Sequence, residues 1–264
     1  MRKARLDAEL VRRGLARSRE QAAAVIAEGR VRVGGIVATK PATGVDAESS
    51  VTVEETDADE YVSRGGHKLA GALDAFTPHL QIEARRALDA GASTGGFTDV
   101  LLRRGAAHVV AVDVGYGQLA WSLRTDERVT VLDRTNVREL TVDQLGEPVH
   151  LVVADLSFIS LTTVLPALRA VTTDTADLVL MVKPQFEVGK GRTVHGVVHD
   201  PELRKDAVRK VAAAAAEAGY GVAGVTASPL PGPAGNVEYF LWLNAAAPPL
   251  ADADLDRAVA EGPR

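Results

Sequence analysis

The chain has 264 residues, of which 46% are hydrophobic, and a formal net charge of −5; this size predicts one substantial hydrophobic core and a small second unit. It contains no cysteine, which excludes disulfides, thiolate catalysis and cysteine zinc sites. No apolar stretch approaches the ~20 residues that span a bilayer, and the N-terminus lacks a signal-peptide apolar segment, so we expect a cytoplasmic protein.

Charge divides the chain into a basic first part and an acidic remainder. Residues 1–45 carry ten bases and four acids, a balance of +6, whereas residues 46–60 carry seven acids and no base. The rest of the chain has 20 bases and 24 acids. We predict a small basic domain over residues 1–60, a linker over 61–66 and a larger domain over 67–264. Only the first has a charge balance that suits phosphate groups.

The basic domain is predicted to contain two short helices and a hairpin. A short amphipathic pattern ends at Gly14, which predicts the end of the first helix there. Ser18 followed by Gln21 is typical of a capping box and predicts a second helix that runs to Gly29. Alternating residues then flank a Gly-Gly pair at positions 34–35, which predicts a tight hairpin turn.

Several short motifs in the basic domain match a known RNA-binding family. They include Arg5-Leu6-Asp7, Gly29-Arg30-Val31-Arg32-Val33 and Lys40-Pro41. The domain resembles the small RNA-binding domain named after the fourth protein of the small ribosomal subunit, which implies a structured RNA partner, usually ribosomal. Charge alone favours an ordinary solvated basic surface. The residues expected to bind RNA are Arg5, Arg12, Arg13, Arg17, Arg19 and Arg30, together with Arg64 and Lys190 farther along the chain.

Residues 88–113 have the layout of a nucleotide-binding strand, loop, helix and strand. Small residues at Gly91, Ser93 and Gly95 allow backbone N–H groups at a helix N-terminus to approach a ligand. Asp113 lies 22 residues after Gly91, where an acidic side chain can bind a ribose diol. The pattern leaves open two alternatives, which are a tight structural turn and a nicotinamide-binding site.

The side chains around this loop favour S-adenosylmethionine as the ligand. Ser93 stands where a dinucleotide fold prefers glycine beside the pyrophosphate, which suits a ligand without phosphates. Asp89 ends the strand, where its carboxylate could meet an ammonium group. Asn136 is placed either to meet the adenine amino group or to cap a helix. The residues expected to bind the cofactor are Asp89, Gly91, Ser93, Thr94, Gly95, Gly96, Asp113, Asn136 and Asp155.

The larger domain continues as alternating strands and helices. This order predicts a Rossmann-like α/β fold with a doubly wound, mostly parallel sheet. A final pair of strands predicts an antiparallel last strand, an ending typical of class I methyltransferases and not of dehydrogenases. Strands are predicted at 87–90, 108–114, 129–133, 150–156, 177–183, 222–227 and 238–243, and helices near 96–104, 117–124, 160–170 and 200–218.

Four polar residues are predicted to meet outside the strand ends: Lys68, Asp155, Lys183 and Glu238. Each one alone would more often be a surface charge. A ribose hydroxyl is a poor nucleophile because it ionises only far above neutral pH, so its attack on a sulfonium methyl group needs a base. A neutral Lys183 can be that base, with Lys68 as a second cation and the two carboxylates orienting the amines and moving the proton.

Five motifs of the linker and the larger domain resemble those of the TlyA family. They lie at residues 63–69, 88–98, 113–119, 154–160 and 182–187. That family joins the RNA-binding domain described above to an FtsJ-like methyltransferase domain. The resemblance runs nearly end to end and implies that Lys68, Asp155, Lys183 and Glu238 are catalytic. It also implies an S-adenosylmethionine-dependent enzyme that methylates the ribose 2′-O of cytidine in 16S and 23S rRNA within ribosomal subunits, which affects capreomycin susceptibility.

Two other functions stay open from the sequence, a noncatalytic RNA-binding protein and a membrane-acting haemolysin, a name that the family also carries. A lytic protein needs a long apolar span or a strongly amphipathic helix, and the alanine-rich run at 211–216 supplies neither. We therefore expect no membrane partner. We also expect no metal, because His195 and His199 lack a third ligand.

Two more sequence features lie near the predicted site. The loop over 186–199 is predicted to be mobile and to contact RNA phosphates. Phe158 is predicted to be a packed aromatic, with stacking on a base as the alternative. The sequence makes no prediction of the oligomeric state.

Overall fold

A computed structural model of the chain describes residues 4–16, 19–27, 29–46, 48–53, 61–189 and 191–263. The N-terminal region, residues 4–53, contains two helices packed on short antiparallel strands. Strand β1 pairs with β4, and a second small sheet has the order β3-β2-β5. Its elements are β1 (Ala4–Arg5), α1 (Leu6–Arg12), α2 (Arg19–Ala27), β2 (Val31–Val33), β3 (Ile36–Val37), β4 (Gly44–Val45) and β5 (Val51–Val53).

The two helices and the hairpin predicted for this region are confirmed. Helix α1 ends just before Gly14, whose φ of 73° is in the left-handed region that favours glycine. The hairpin turns at Gly34 and Gly35, which also have positive φ. A separate core forms under the helices around the fully buried Leu10 and Ile26. The predicted capping residue Ser18 lies outside the described residues.

The larger region, residues 61–263, is built around one seven-stranded sheet. Its elements are α3 (Arg64–Phe76), β6 (Arg86–Ala90), α4 (Gly96–Arg103), β7 (His108–Val112), α5 (Trp121–Arg124), β8 (Val129–Leu132), a 3-10 helix (Val137–Glu139), α6 (Val142–Leu145), β9 (Val149–Ala154), α7 (Leu161–Ala170), β10 (Thr172–Val182), α8 (Pro184–Glu187), α9 (Pro201–Glu217), β11 (Gly221–Ala227), β12 (Tyr239–Asn244) and α10 (Asp252–Glu261).

The sheet has the strand order β11-β12-β10-β9-β6-β7-β8. Strands β8, β7, β6, β9 and β10 run parallel, and β12 is antiparallel to both of its neighbours. Apolar clusters cover both faces of the sheet, which explains why strands such as β9 are nearly continuous apolar runs. The predicted α/β class, the mostly parallel sheet and the antiparallel last strand are confirmed.

Helix α3 is the main element that the sequence analysis did not predict. It buries Leu69, Leu73 and Phe76, whose spacing of four and three residues is helical. Its first turn contains residues 64–66, which were predicted as the end of a linker. The glycines at positions 65, 66 and 71 obscured the helical pattern, because glycine usually disfavours a helix.

One predicted helix and one unpredicted helix show where local patterns are weak. The helix expected over 117–124 covers only Trp121–Arg124, because Gly117 has a φ of 67° and the segment before it forms a turn. Helix α10 was not predicted, and it packs through Leu255 and Ala258. Within the described residues, no helix combines the length and apolar character that crossing a membrane requires.

Candidate active site

The carboxyl ends of β6, β7, β9 and β10 meet at one edge of the sheet, because these strands are parallel. The loop that follows β6 has left-handed backbone at Gly91, Ser93 and Gly95. A Cβ atom on Gly91 would lie 2.5 Å from the backbone oxygen of Asp155, so no larger residue fits there without a shift. The loop therefore depends on glycine for both its conformation and its closeness to the end of β9.

Asp113 fixes this loop through backbone hydrogen bonds. The Ser93 N–H donates to one carboxylate oxygen at 2.9 Å, and the Gly115 N–H donates to the other at 2.6 Å. The Ser93 hydroxyl lies 3.3 Å from the side-chain oxygen of Gln118. Asp113, predicted to bind a ribose, thus lies at the cavity wall and also holds the loop after β6 in place.

Two adjoining cavities open at this edge of the sheet. The smaller has a volume of about 260 Å³ and the larger about 500 Å³. Both are lined by Gly91, Ser93, Asp155 and Ser157, so they share one wall. The smaller cavity adds Thr94, Gly96, Lys68, Lys183 and Glu238, and the larger adds Asp113, Asn136, Val114 and Phe158.

The four predicted catalytic residues all line the smaller cavity, as two lysine–carboxylate pairs. Lys68 donates to Glu238 at 2.6 Å, and both side chains are buried, with 8% and 1% of their surface exposed. Lys183 lies 2.5 Å from Asp155. A buried lysine must be paired, because an isolated charge in the interior is strongly destabilising. The structure therefore brings together the four residues, each from a different segment of the chain.

Glycines bring helix α3, and with it Lys68, close to the loop after β6. A Cβ atom on Gly96, at the start of α4, would lie 2.7 Å from the backbone nitrogen of Gly66. The same atom would lie 2.3 Å from the hydroxyl of Ser63. The first turns of α3 and α4 can approach this closely only because Gly96 carries no side chain. Lys68 then extends from the second turn of α3 to reach Glu238.

Asp89 is fully buried at the end of β6 and does not line either cavity. The hydroxyl of Thr98 donates to one of its oxygens at 2.7 Å, while the other oxygen has no hydrogen-bond partner among the described residues. Burial raises the pKa of Asp89 to about 7; the Thr98 hydrogen bond opposes this increase, and the negative charge of Asp155 adds to it. The predicted contact of Asp89 with a ligand ammonium group stays a prediction.

Asn136 and Phe158 both lie at the larger cavity. Asn136 accepts a hydrogen bond from the Arg138 N–H at 3.1 Å and so caps the 3-10 helix. Asn136 also lines the larger cavity. Phe158 is 92% exposed, so the prediction of a packed aromatic is wrong. Its ring contacts that of Phe186, with centroids 5.2 Å apart. The exposed ring of Phe158 therefore lines the larger cavity and packs against the half-buried Phe186.

In the N-terminal region, the predicted RNA-binding arginines surround two buried acids. Asp7 accepts hydrogen bonds from Arg5 and Arg19, and Glu9 accepts them from Arg12 and Arg13. The guanidinium groups of Arg12 and Arg13 lower the pKa of Glu9 to about 2. The side chains of Arg5, Arg12 and Arg19 stay more than half exposed.

The remaining predicted RNA-binding residues differ in accessibility. Arg13 is only 19% exposed and donates to the backbone oxygen of Ser49 at 2.7 Å, so it ties α1 to the segment before β5. Arg30 is partly buried. Arg64 is exposed and lines the smaller cavity. Arg17 and Lys190 lie outside the described residues.

Three polar residues near the site were not predicted. The hydroxyl of Ser157 accepts a hydrogen bond from Lys183 at 2.8 Å. The buried Glu187 accepts one from the Leu161 N–H at 2.7 Å, at the start of α7. Asn236 bonds to the backbone at Gly196 and at position 198, each at 2.9 Å. These partners are 26 to 40 residues apart in sequence, so no local pattern signals them.

The loop over 186–199 is anchored at both ends by these contacts. Its middle is exposed, and Gly189, Gly191, His195 and Gly196 have left-handed backbone. The part of the chain that the structure describes contains no group of three or more His, Cys, Asp or Glu side chains placed to hold a metal.

Comparison with known families agrees with this geometry. A model of FtsJ-like methyltransferases matches residues 61–245. The chain belongs to the TlyA family of FtsJ-like methyltransferases. A model of the S4 domain matches residues 4–51. The FtsJ-like match contains both cavities and all four residues of the two lysine–carboxylate pairs.

Individual relatives cover most or all of the chain. The 16S/23S rRNA (cytidine-2′-O)-methyltransferase TlyA of Mycobacterium tuberculosis is 61% identical, over 99% of each chain. The 23S rRNA (cytidine-2′-O)-methyltransferase TlyA of Campylobacter jejuni is 36% identical, over 69% of this chain and 70% of its own. A solved structure of a hemolysin-named protein from Streptococcus thermophilus is 37% identical, with a TM-score of 0.73 over 99% of this chain and 96% of its own.

Proposed function

We propose that the protein transfers a methyl group from S-adenosylmethionine to the ribose 2′-O of cytidine in ribosomal RNA. One observation carries this proposal: the two lysine–carboxylate pairs line a small cavity that shares a wall with a larger cavity of nucleoside size. The names of the 61% and 36% identical relatives, both rRNA (cytidine-2′-O)-methyltransferases, support the cytidine and the rRNA. The ribosomal substrate also implies the cytoplasmic location expected from the sequence.

The residues at the shared wall fit S-adenosylmethionine. A Cβ atom at Gly91 would occupy the space between the loop after β6 and the end of β9. Asp113 and Asn136 line the larger cavity, where they would hold the ribose and the adenine. The buried Asp89 has one unpartnered oxygen behind the loop, and a cationic ligand bound nearby would favour its ionised form. We propose that Thr94, Gly95, Gly96 and Asp155 complete this site with Ser93.

When bound, S-adenosylmethionine supplies a methyl group on a positively charged sulfur, which keeps the electron pair of the broken bond. The task of this chain is to take the proton from the 2′-hydroxyl and to hold the oxygen in line. We propose that Lys183, as the neutral amine, accepts that proton, and that Asp155 stabilises the ammonium group that results. Lys68, held by Glu238, is the second cation and stabilises negative charge on the oxygen.

The N-terminal region supplies binding to the ribosomal subunit in this proposal. Arg5, Arg12 and Arg19 present exposed guanidinium groups that can reach phosphate oxygens. We keep the division into an RNA-binding domain over 1–60, a linker over 61–66 and a methyltransferase domain over 67–264 as a proposal, although residues 64–66 of that linker form the first turn of α3. Because Arg64 lies in the first turn of α3 and lines the smaller cavity, we propose that it contacts RNA from the methyltransferase region.

Methyl transfer can be tested on purified ribosomal subunits from a strain that lacks these modifications. The subunits are incubated with the protein and tritiated S-adenosylmethionine, and the labelled nucleotides are mapped by their resistance to alkaline cleavage. We expect label on the 2′-O of cytidine in one or both rRNAs. Binding to subunits without incorporation would instead indicate a noncatalytic RNA-binding protein. Label on a base would contradict the ribose assignment.

A further inference from the structure

The amine of Lys183 has two partners on the same short segment, the one that follows β9. Its nitrogen lies 2.5 Å from an Asp155 oxygen and 2.8 Å from the Ser157 hydroxyl oxygen. The two contacts are not equivalent. The Asp155 oxygen has no partner with hydrogen-bond geometry among the described residues, whereas the contact with Ser157 meets that geometry. Asp155 therefore attracts the amine by its charge, whereas Ser157 fixes the orientation of one N–H bond of Lys183.

Direction matters because an amine on a long flexible side chain has several orientations. A carboxylate in a close ion pair attracts the ammonium group but leaves rotation about the pair axis free. A hydroxyl that accepts one N–H removes this freedom. The hydrogen bond to Ser157 fixes one N–H direction and the Asp155 carboxylate lies beside the amine, so the open side of the Lys183 nitrogen is available to a group in the smaller cavity, which Lys183 also lines.

The backbone around Ser157 supports a dedicated role for this turn. The next residue, Phe158, has a φ of 64°, a left-handed conformation that is uncommon for a bulky side chain and that clusters at functional sites. Ser157 lines both cavities, so its hydroxyl lies at their shared wall. It is exposed, which means that water competes for it until a substrate covers the wall.

We propose that Ser157 is a positioning residue that aims the amine of Lys183 at the substrate hydroxyl. This inference rests on the proposed function of the site. Ser157 itself neither gives nor takes the proton in the reaction. Its effect is on alignment, and alignment of the reacting groups is a large part of what an enzyme contributes to the rate.

The first test compares Ser157→Ala with Ser157→Thr by steady-state kinetics on ribosomal subunits. We expect Ser157→Ala to lower kcat by about tenfold, which corresponds to about 1.4 kcal/mol, with the KM for S-adenosylmethionine changed by less than about twofold. Ser157→Thr keeps a hydroxyl and should restore most of kcat. Threonine fits the backbone, since Ser157 is not among the residues with left-handed conformation.

Ser160→Ala is the matched control. Its hydroxyl lies in the same segment and donates to Glu187 at 2.5 Å, without contact to Lys183. We expect this variant to lower Tm while kcat stays within about twofold of the wild type. Equal kcat in Ser157→Ala and the wild type, or equal losses of kcat in Ser157→Ala and Ser160→Ala, would overturn the proposal.

A second measurement separates this inference from the proposed function, because it needs no methyl transfer. Nitrogen-15 NMR of the lysine amines reports how fast each ammonium group rotates, and the Lys183 signal is assigned by its absence in Lys183→Met. We expect slow rotation in the wild type and in Ser157→Thr, and faster rotation in Ser157→Ala. Unchanged rotation in Ser157→Ala overturns the positioning role even if the wild type is active. Absent methylation with the expected NMR change overturns the proposed function alone.

Discussion

The two regions of the molecule treat a buried aspartate in opposite ways. In the N-terminal region, the guanidinium groups of Arg5 and Arg19 surround Asp7 and hold the pKa of that carboxyl well below its usual range. In the methyltransferase region, Asp89 has the Thr98 hydroxyl as its one side-chain partner among the described residues, and burial raises the pKa of Asp89 to about 7. Asp7 is already paired with two guanidinium groups. Asp89 has one carboxylate oxygen without a partner among the described residues, which a cationic group can still approach.

This difference extends to the basic residues. The arginines near Asp7 and Glu9 are charged at all relevant pH values, and their exposed guanidinium groups suit binding to phosphates. Lys68 and Lys183 are buried or nearly so, each beside one carboxylate, at a cavity. A lysine amine can in general act as a base, whereas an arginine guanidinium keeps its proton. We therefore propose that the first region is arranged for binding and the second for chemistry.

Replacing Lys183 should give the largest effect and would test the chemical half of this comparison. We expect Lys183→Ala to reduce methyl transfer by about 10³-fold, because it removes the group that accepts the proton. Cofactor affinity, measured by calorimetry, should stay within about threefold. Lys183→Arg should also be inactive, since a guanidinium keeps its proton.

The matched control for Lys183 is Lys205→Ala. Lys205 is likewise paired with carboxylates, those of Glu202 and Asp256, but it lies on α9 away from both cavities. Its replacement should leave kcat near the wild-type value. Wild-type turnover in Lys183→Ala would remove Lys183 from the proposed mechanism.

The opposite environments of Asp89 and Asp7 predict opposite pH dependences of stability. With its folded-state pKa raised to about 7, Asp89 keeps a proton in the native state that the unfolded chain releases near pH 4. Its contribution therefore falls as pH rises from about 4 to about 7, by up to about 4 kcal/mol. Asp7 has a lowered pKa, so its contribution is present above about pH 4 and is lost on acidification.

Urea unfolding of Asp89→Asn and Asp7→Asn across this pH range measures both contributions. Relative to the wild type, Asp89→Asn should gain stability as pH rises from 4 to 7, because asparagine carries no charge to bury. Asp7→Asn should lose most at neutral pH and little at low pH. Parallel pH curves for the two variants would contradict the comparison between the two sites.

The sequence was most informative where a single segment carries the whole signal. Apolar runs predicted the strands of the sheet. The small residues around Gly91, together with Asp113, predicted the loop after β6. Helix α3 was missed because its first turn contains Gly65 and Gly66, and the reason for glycine at position 66 is the Tyr61 side chain, which a Cβ atom there would overlap at 2.4 Å. Ser157 was missed because the hydrogen bond with Lys183 joins two strand ends that only the folded sheet brings together.

We predict that Phe158 contacts RNA in a way that differs in kind from the arginines. Its exposed ring at the larger cavity can stack on a base, a contact worth about 1–3 kcal/mol and largely independent of salt. We expect Phe158→Ala to raise the KM for the ribosomal subunit by about tenfold, and Phe158→Tyr to keep most of the affinity. A matched aromatic variant, Phe76→Leu, alters a ring in the core and should lower stability instead. An unchanged KM in Phe158→Ala would assign the exposed ring no part in RNA binding.

The smallest effects are expected from neighbouring arginines that differ in exposure. Arg12 is 63% exposed, whereas Arg13 is 19% exposed and bonded to the backbone at Ser49, although both pair with Glu9. Filter binding to ribosomal subunits over a range of salt concentrations separates them. Arg12→Ala should reduce the slope of log affinity against log salt by about 1, because one phosphate contact is lost. Arg13→Ala should leave that slope unchanged and lower Tm, because its side chain holds the domain together. An equal change of slope in both variants would mean that Arg13 leaves its backbone partners to meet the RNA, so that the N-terminal region rearranges on binding.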